Sequence, residues 1–337
     1  MQPINQRIEA ILPILLPLPI ELDFDEITNQ VIKELISSEY IFPLKAEQLS
    51  SYQVIVKFQL LDESDSRINF FKTETLGRKK IFLLAYTTME IIDKPVAGIE
   101  SWNIPSIVLW SKISVDHFIK RLYDFIICIN IARVGSIRVD QGVIFIDNQF
   151  YQKLKMMNNN FQEVFLFTQK TRWPVLEHLE IHTVWNWITE KAGFLDGVGG
   201  TPVDRALTAL TYLFGSNGET NEGMDLFFTM IGLESLYCTS NNGIKEQLLE
   251  KSQVFLGKQT DYKKLFKGMY DYRSKFIHGS LNFPVKYHFF DGSDEYDQFM
   301  KDSYDATLMA QSVLIATLQQ LSKRNMNELN FEYTLVD

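Results

Sequence analysis

The chain is short of cysteine, of histidine and of net positive charge, and each shortage narrows what it can do. Its two cysteines, Cys128 and Cys238, both sit in apolar surroundings, "FIICINI" and "ESLYCTS". They provide neither a disulfide framework nor a zinc ribbon, and they suit a reducing compartment. Only five histidines are present, so a histidine placed beside other reactive side chains stands out. Lys and Arg total 33 against 42 Asp and Glu, a formal net charge of −9. The surface as a whole therefore does not suit a polyanion, and any site for one must be a local basic patch. Long apolar runs are also missing. The closest to one, "ILPILLPLPI" at 11–20, carries three prolines and no basic lead. It reads neither as a signal peptide nor as a membrane span, so the expectation is a cytoplasmic protein with no membrane partner. No internal repeat or low-complexity tract occurs.

What is present is ample core material, 46% hydrophobic residues in 337, enough for two domains. The first half carries strand signals. In "YQVIVKFQL" (52–60), Val54, Val56, Phe58 and Leu60 alternate with polar neighbours and Ile55. "INFFKTE" (68–74), "KKIFLLAYT" (79–87), "SIVLW" (106–110) and "GVIFID" (142–147) read as further strands, with a helix over 114–134. Beyond about residue 173 almost every signal is helical. One helix is expected over 173–194, and others at 202–214, 222–238, 243–256, 261–278 and 295–324. Thr201-Pro202-Val203-Asp204 offers a hydroxyl N-cap, proline at N1 and an acid at N3. The expected organisation is an α+β domain with an antiparallel sheet over 1–170, then a connecting helix and Gly-rich linker over 171–200. An all-α bundle over 201–325 and a tail over 326–337 complete it.

Three candidate sites fail on spacing. "DGVGGTPVD" (196–204) lacks the lysine a phosphate loop needs after its last glycine, and a helix rather than a strand precedes it. His178 and His182 in "EHLEIH" have metal-binding i, i+4 spacing, but Leu179 stands where a metalloprotease glutamate belongs and no third ligand is evident. In "DGSDEYD" (291–297) Tyr296 occupies the glycine position of a calcium loop, leaving an acidic lead-in to the last helix. No metal site and no cofactor is expected.

"YDYRSKFIHGS" (270–280) differs. On a helix Ser274 and His278 share a face, whereas Arg273 points about 140° from His278. Gly279 suits the C′ position, which leaves His278 in the last turn near solvent. Residues 258–280 carry six basic side chains against two acidic ones. Lys263, Lys264, Lys267 and Lys275, with Tyr270 and Tyr272 interleaved, could hold the backbone and stack the bases of RNA. A solvated basic face whose arginine pairs with an acid explains the same spacing. On the preceding helix, Glu234 shares a stripe with Phe227, Ile231 and Cys238. A carboxylate there needs a cation, and Arg273 is the first candidate.

The stretch resembles the RxxxxH signature of the HEPN superfamily, most closely its ApeA-like branch, through Arg273, His278 and Gly279. The resemblance covers residues 200–325. It implies a metal-independent endoribonuclease with Arg273 and His278 catalytic, supported by Ser274 and by Glu234 orienting the arginine. It also implies a homodimer with both motifs lining one cleft, an RNA partner (single-stranded or tRNA-like), and a toxin-like or anti-phage role. Ser274 departs from the Asn, Asp or His common after the arginine. Ser280 replaces the tyrosine used where such toxins are silenced by nucleotidylation. The alternative is a non-catalytic HEPN-like module that binds RNA or a nucleotide, or only dimerises. In either case residues 1–170 could act as a sensor for a trigger ligand or protein.

Overall fold

The computed structural model describes residues 4–15, 22–46, 49–71, 80–91, 105–139, 141–154, 161–191, 193–197, 199–214, 222–240, 242–280 and 294–332. The chain divides into two compact units. One comprises Met1–Asn130 and Ser136–Met157; the other comprises Ile131–Gly135 and Asn158–Asp337. Residues 171–200, expected to connect two domains, lie inside the second unit.

The first unit is built on a six-stranded antiparallel sheet. Its strands are β1 (Ile4–Leu15), β2 (Glu39–Ala46), β3 (Leu49–Leu60), β4 (Lys80–Ile91), β5 (Gly142–Ile146) and β6 (Gln149–Leu154), in the order β2-β3-β4-β1-β5-β6. Helices α1 (Leu22–Ser37) and α2 (Ser106–Ala132) complete it. Period-two alternation sets the two faces. Tyr40, Phe42, Val54, Val56 and Phe58 turn to one side and are buried. There Tyr40, Phe42 and Phe58 meet Phe125 of α2 at ring separations of 4.6, 5.2 and 5.5 Å. The opposite face holds Ile11, Leu84, Val143 and Phe145 with Phe71. On that face Glu9, almost wholly buried, is held by Arg7 and Arg67.

Two expected strands are helical instead. "SIVLW" opens α2, because a short apolar run has no intrinsic period and here it continues into the Trp110–Phe118–Leu122–Phe125 stripe. Of "INFFKTE", residues 68–71 belong to a 3-10 segment, Ser66–Phe71; the rest lies outside the described residues. The Asp65 carboxylate accepts from both the backbone N–H and the guanidinium of Arg67, which favours a turn over a strand. Four elements of this unit were not expected: β1, α1, β2 and β6. Proline disguises β1. Pro13 lies past the β5-paired stretch, which ends at Ile11, so its missing N–H breaks no ladder there.

The second unit is helical, with α3 (Phe161–Thr171), α4 (Ile181–Lys191), α5 (Pro202–Tyr212), α6 (Glu222–Tyr237), α7 (Ile244–Leu256), α8 (Lys263–Ile277) and α9 (Asp294–Lys323). The last five match the expected helices to within two residues at each end. Thr201 and Asp204 close a reciprocal capping box at the start of α5. The 30-residue α9 carries the core, and Val313, Leu314, Ala316 and Leu318 are fully buried. Helix α6 packs on it through a Tyr237 Oη–Thr317 Oγ1 hydrogen bond of 2.7 Å. At Gly232 an added Cβ would lie 3.2 Å from the Leu314 side chain.

The single helix expected over 173–194 is a correction. The helix starts at Ile181, and residues 172–180 are irregular. Pro174 disfavours helix at the residue before it. Tertiary partners then satisfy the loop. Trp173 Nε1 donates to the Gly257 carbonyl, Glu177 N–H to Gln319 Oε1, and Leu179 N–H to the Ala132 carbonyl.

Candidate nucleic-acid site on helix α8

Helix α8 presents two different faces. Phe266 and Met269 are buried, and Tyr272 turns toward α9 with its ring 5.9 Å from Phe299. Arg273 lies on this inner side, where its Nη2 meets Glu234 Oε2 of α6 at 3.3 Å. The expected ion pair is therefore present. Both side chains are about one-fifth exposed, 17% and 20%. Burial pushes the Glu234 carboxyl up, and the Arg273 guanidinium offsets only part of that rise. The pair is not saturated: Arg273 Nε and Glu234 Oε1 are both buried, with no hydrogen-bond partner among the described residues. Tyr270, half-buried, feels the same cluster; burial raises its hydroxyl, with Glu234 adding to the effect.

The outer side is exposed and basic. Lys263, Lys264, Lys267, Lys275 and His278 are all solvent-exposed, and Ser274 is half-buried. Asp271 is the acid of this face, and Lys245 of α7 pairs with it. Lys245 was not foreseen, because a pairing 26 residues distant leaves no periodic signal. Mid-helix, Gly268 is a second unforeseen feature. Among the described residues a Cβ there would meet nothing within 4 Å, so their packing does not require glycine, although glycine costs about 0.5–1 kcal/mol relative to alanine.

The helix ends as "IHGS" predicts. His278 is the C-cap; Gly279 adopts φ +66°, and its N–H bonds to the Phe276 carbonyl, while Ser280 N–H reaches the Lys275 carbonyl. This two-bond closure requires a left-handed residue, and glycine adopts that conformation without strain. It delivers the imidazole to the surface at the helix end. Within one chain, then, Arg273 faces α6 and His278 faces solvent.

Removing the acid tests the inner pair. Glu234→Ala strands a mostly buried guanidinium and should lower unfolding stability by about 2 kcal/mol. Glu234→Gln keeps an acceptor for Nη2 and should lose less. Urea unfolding midpoints check both.

The other candidates resolve structurally. At Gly199 a Cβ would lie 2.0 Å from the Asp204 Cβ, so that glycine admits the capping box of α5. His178 precedes α4 instead of sharing a helix with His182, which removes the i, i+4 premise; its ring packs 6.1 Å from Phe165. Burial and Arg133 both lower the His178 pKa. Among the described residues no group of three His, Cys, Asp or Glu could hold a metal ion. Of "DGSDEYD", the described part begins at Asp294, where α9 starts. Neither cysteine is in a disulfide, and burial with Glu234 nearby pushes Cys238 up to about 11. Among the described residues no helix is long and apolar enough to cross a membrane. No protein-family model, curated protein or solved structure matches the chain.

Proposed function

We propose that the helical unit is a HEPN-like domain and that the protein is an endoribonuclease working without a metal. One observation carries the reading. An arginine and a histidine five positions apart close helix α8, the arginine held by Glu234 of α6 and the histidine presented at an exposed C-cap. His278 takes the proton from a ribose 2′-hydroxyl. The freed oxygen attacks the adjacent phosphorus, the bond to the 5′-oxygen breaks, and that oxygen takes a proton from water as it leaves, while His278 gives up its own proton to solvent. The products are a 2′,3′-cyclic phosphate and a 5′-hydroxyl. Arg273 binds the scissile phosphate and offsets the charge that builds on its oxygens.

Because the two side chains face different ways on one helix, the complete site forms where two copies meet, Arg273 of one beside His278 of the other. A toxin-like or anti-phage role in the cytoplasm follows from such an activity, with the N-terminal unit sensing the trigger. The second reading is a non-catalytic module that binds RNA or dimerises; the separation of inward Arg273 from outward His278 within a single chain favours it. Incubating the purified protein with single-stranded RNA in EDTA separates them. Cleavage giving cyclic-phosphate ends supports the nuclease; binding with no cleavage, with and without candidate triggers, rejects it.

A further inference from the structure

The lysines of α8 are not scattered. Taking 100° per residue from Lys264, the positions of Lys267, Gly268, Asp271, Lys275 and His278 all fall within an arc of about 100°. Arg273 falls opposite. Every charged member of this stripe is solvent-exposed. From Lys264 to His278 it runs about 21 Å along the helix axis. Asp271 would interrupt it, but Lys245 on α7 offsets that charge. This is a positive track, neutralised only around Asp271, on a protein of net charge −9.

Gly268 is the independent observation. It lies inside the stripe, in the middle of a 15-residue helix, with an ordinary negative φ, and no described residue stands within 4 Å of where a Cβ would be. Neither backbone geometry nor packing among the described residues asks for glycine here. A glycine with no such neighbour fits a backbone surface approached closely from outside.

We infer that the outer face of α8 is a docking track for the sugar-phosphate backbone of a single RNA strand, with Lys264, Lys267 and Lys275 on its phosphates. Gly268 is the point of closest approach. The inference deepens the nuclease reading and rests on it for the choice of RNA: the track ends at His278, so a strand lying along it is led to the histidine. The charge pattern suits a linear polyanion. The stripe contains no apolar side chain, which a lipid surface would need to anchor the helix. Lys245 and Asp271 then set the affinity, since the acid opposes the strand and occupies a lysine that could join the track.

Fluorescence anisotropy on the full chain tests this with labelled 2′-O-methyl oligouridylate, which has no free 2′-hydroxyl to attack and so stays intact whether or not the protein is a nuclease. Three phosphate contacts give a log–log salt dependence of slope about −2, each of Lys264→Ala, Lys267→Ala and Lys275→Ala flattening it by about 0.7. Asp271→Asn tightens binding. Gly268→Ala raises the unfolding midpoint by roughly 2–4 °C, as a better helix former should. The same variant weakens binding roughly three- to tenfold, the scale of one lost close contact. Unchanged slopes in all three lysine variants overturn the track, as does displacement of the RNA by phosphatidylserine vesicles with equal sensitivity to the lysines. Gly268→Ala that gains stability without losing affinity overturns the close approach. Binding that follows the stripe without any cleavage of unmodified RNA upholds the track and rejects the nuclease. Cleavage that ignores the lysines does the reverse.

Discussion

His278→Ala should lower the rate of RNA cleavage by about 10²–10⁴-fold, the usual worth of a positioned general base. Arg273→Ala should cost a comparable factor, because the transition-state phosphate loses its forked donor. Arg273→Lys should rescue little, since an ammonium keeps the charge without the fork. Unlike loss of Glu234, His278→Ala should leave stability nearly unchanged, as the imidazole is exposed and its ring hydrogen-bonds to none of the described residues. The inward Arg273 and outward His278 also allow a test that no single variant provides. If one chain supplies the arginine and another the histidine, mixing inactive Arg273→Ala and His278→Ala proteins regenerates intact sites. Random pairing in a twofold dimer would restore about one quarter of wild-type activity. If both residues act from the same chain, or each intact pair serves alone, the mixture stays inactive. Product formation from unmodified RNA, followed over a range of mixing ratios, decides between them.

Much of the helical unit was legible because its signals are local. Thr201, Pro202 and Asp204 start α5, and Gly279 stops α8, through contacts made within a few residues. The Glu234–Arg273 pair was legible for a related reason: a carboxylate on an apolar stripe must find a cation, and few were placed to reach it. The N-terminal unit was read less well because its signals are not local. β1 owes its strand to twelve residues of β4 paired along its length, and no pattern within β1 announces that partner. The irregular stretch before α4 is held by Gln319 and Ala132, both distant in sequence. Lys245 and Gly268 were missed for opposite reasons, one defined by a distant partner and the other by an added Cβ that would meet none of the described residues.

Asp225 should make the helical unit more stable in mild acid than at neutral pH. It lies in the first turns of α6 and is only 8% exposed. It sits seven residues before Gly232, the residue that meets Leu314, so Asp225 shares the α9-facing side. On α9 the corresponding stripe holds Ser303, Thr307 and Gln311, buried but uncharged. Among the described residues none donates a hydrogen bond to its carboxylate, and burial alone pushes its pKa from 3.8 up to about 6. With the folded value above the unfolded one, the native state binds the extra proton between them. The associated stability is fully present below about pH 3.8 and is lost as pH rises through about 6. A displacement of that size corresponds to roughly 3 kcal/mol. Asp225→Asn, nearly the same shape without the charge, should therefore raise stability at pH 8 by about 1–3 kcal/mol. The gain should shrink toward zero near pH 4. Urea unfolding of both proteins at pH 8, 6 and 4.5 measures it; the difference between them isolates Asp225 from every other titrating group. Equal stabilities at all three values would mean that the carboxylate is already solvated or paired in the native state.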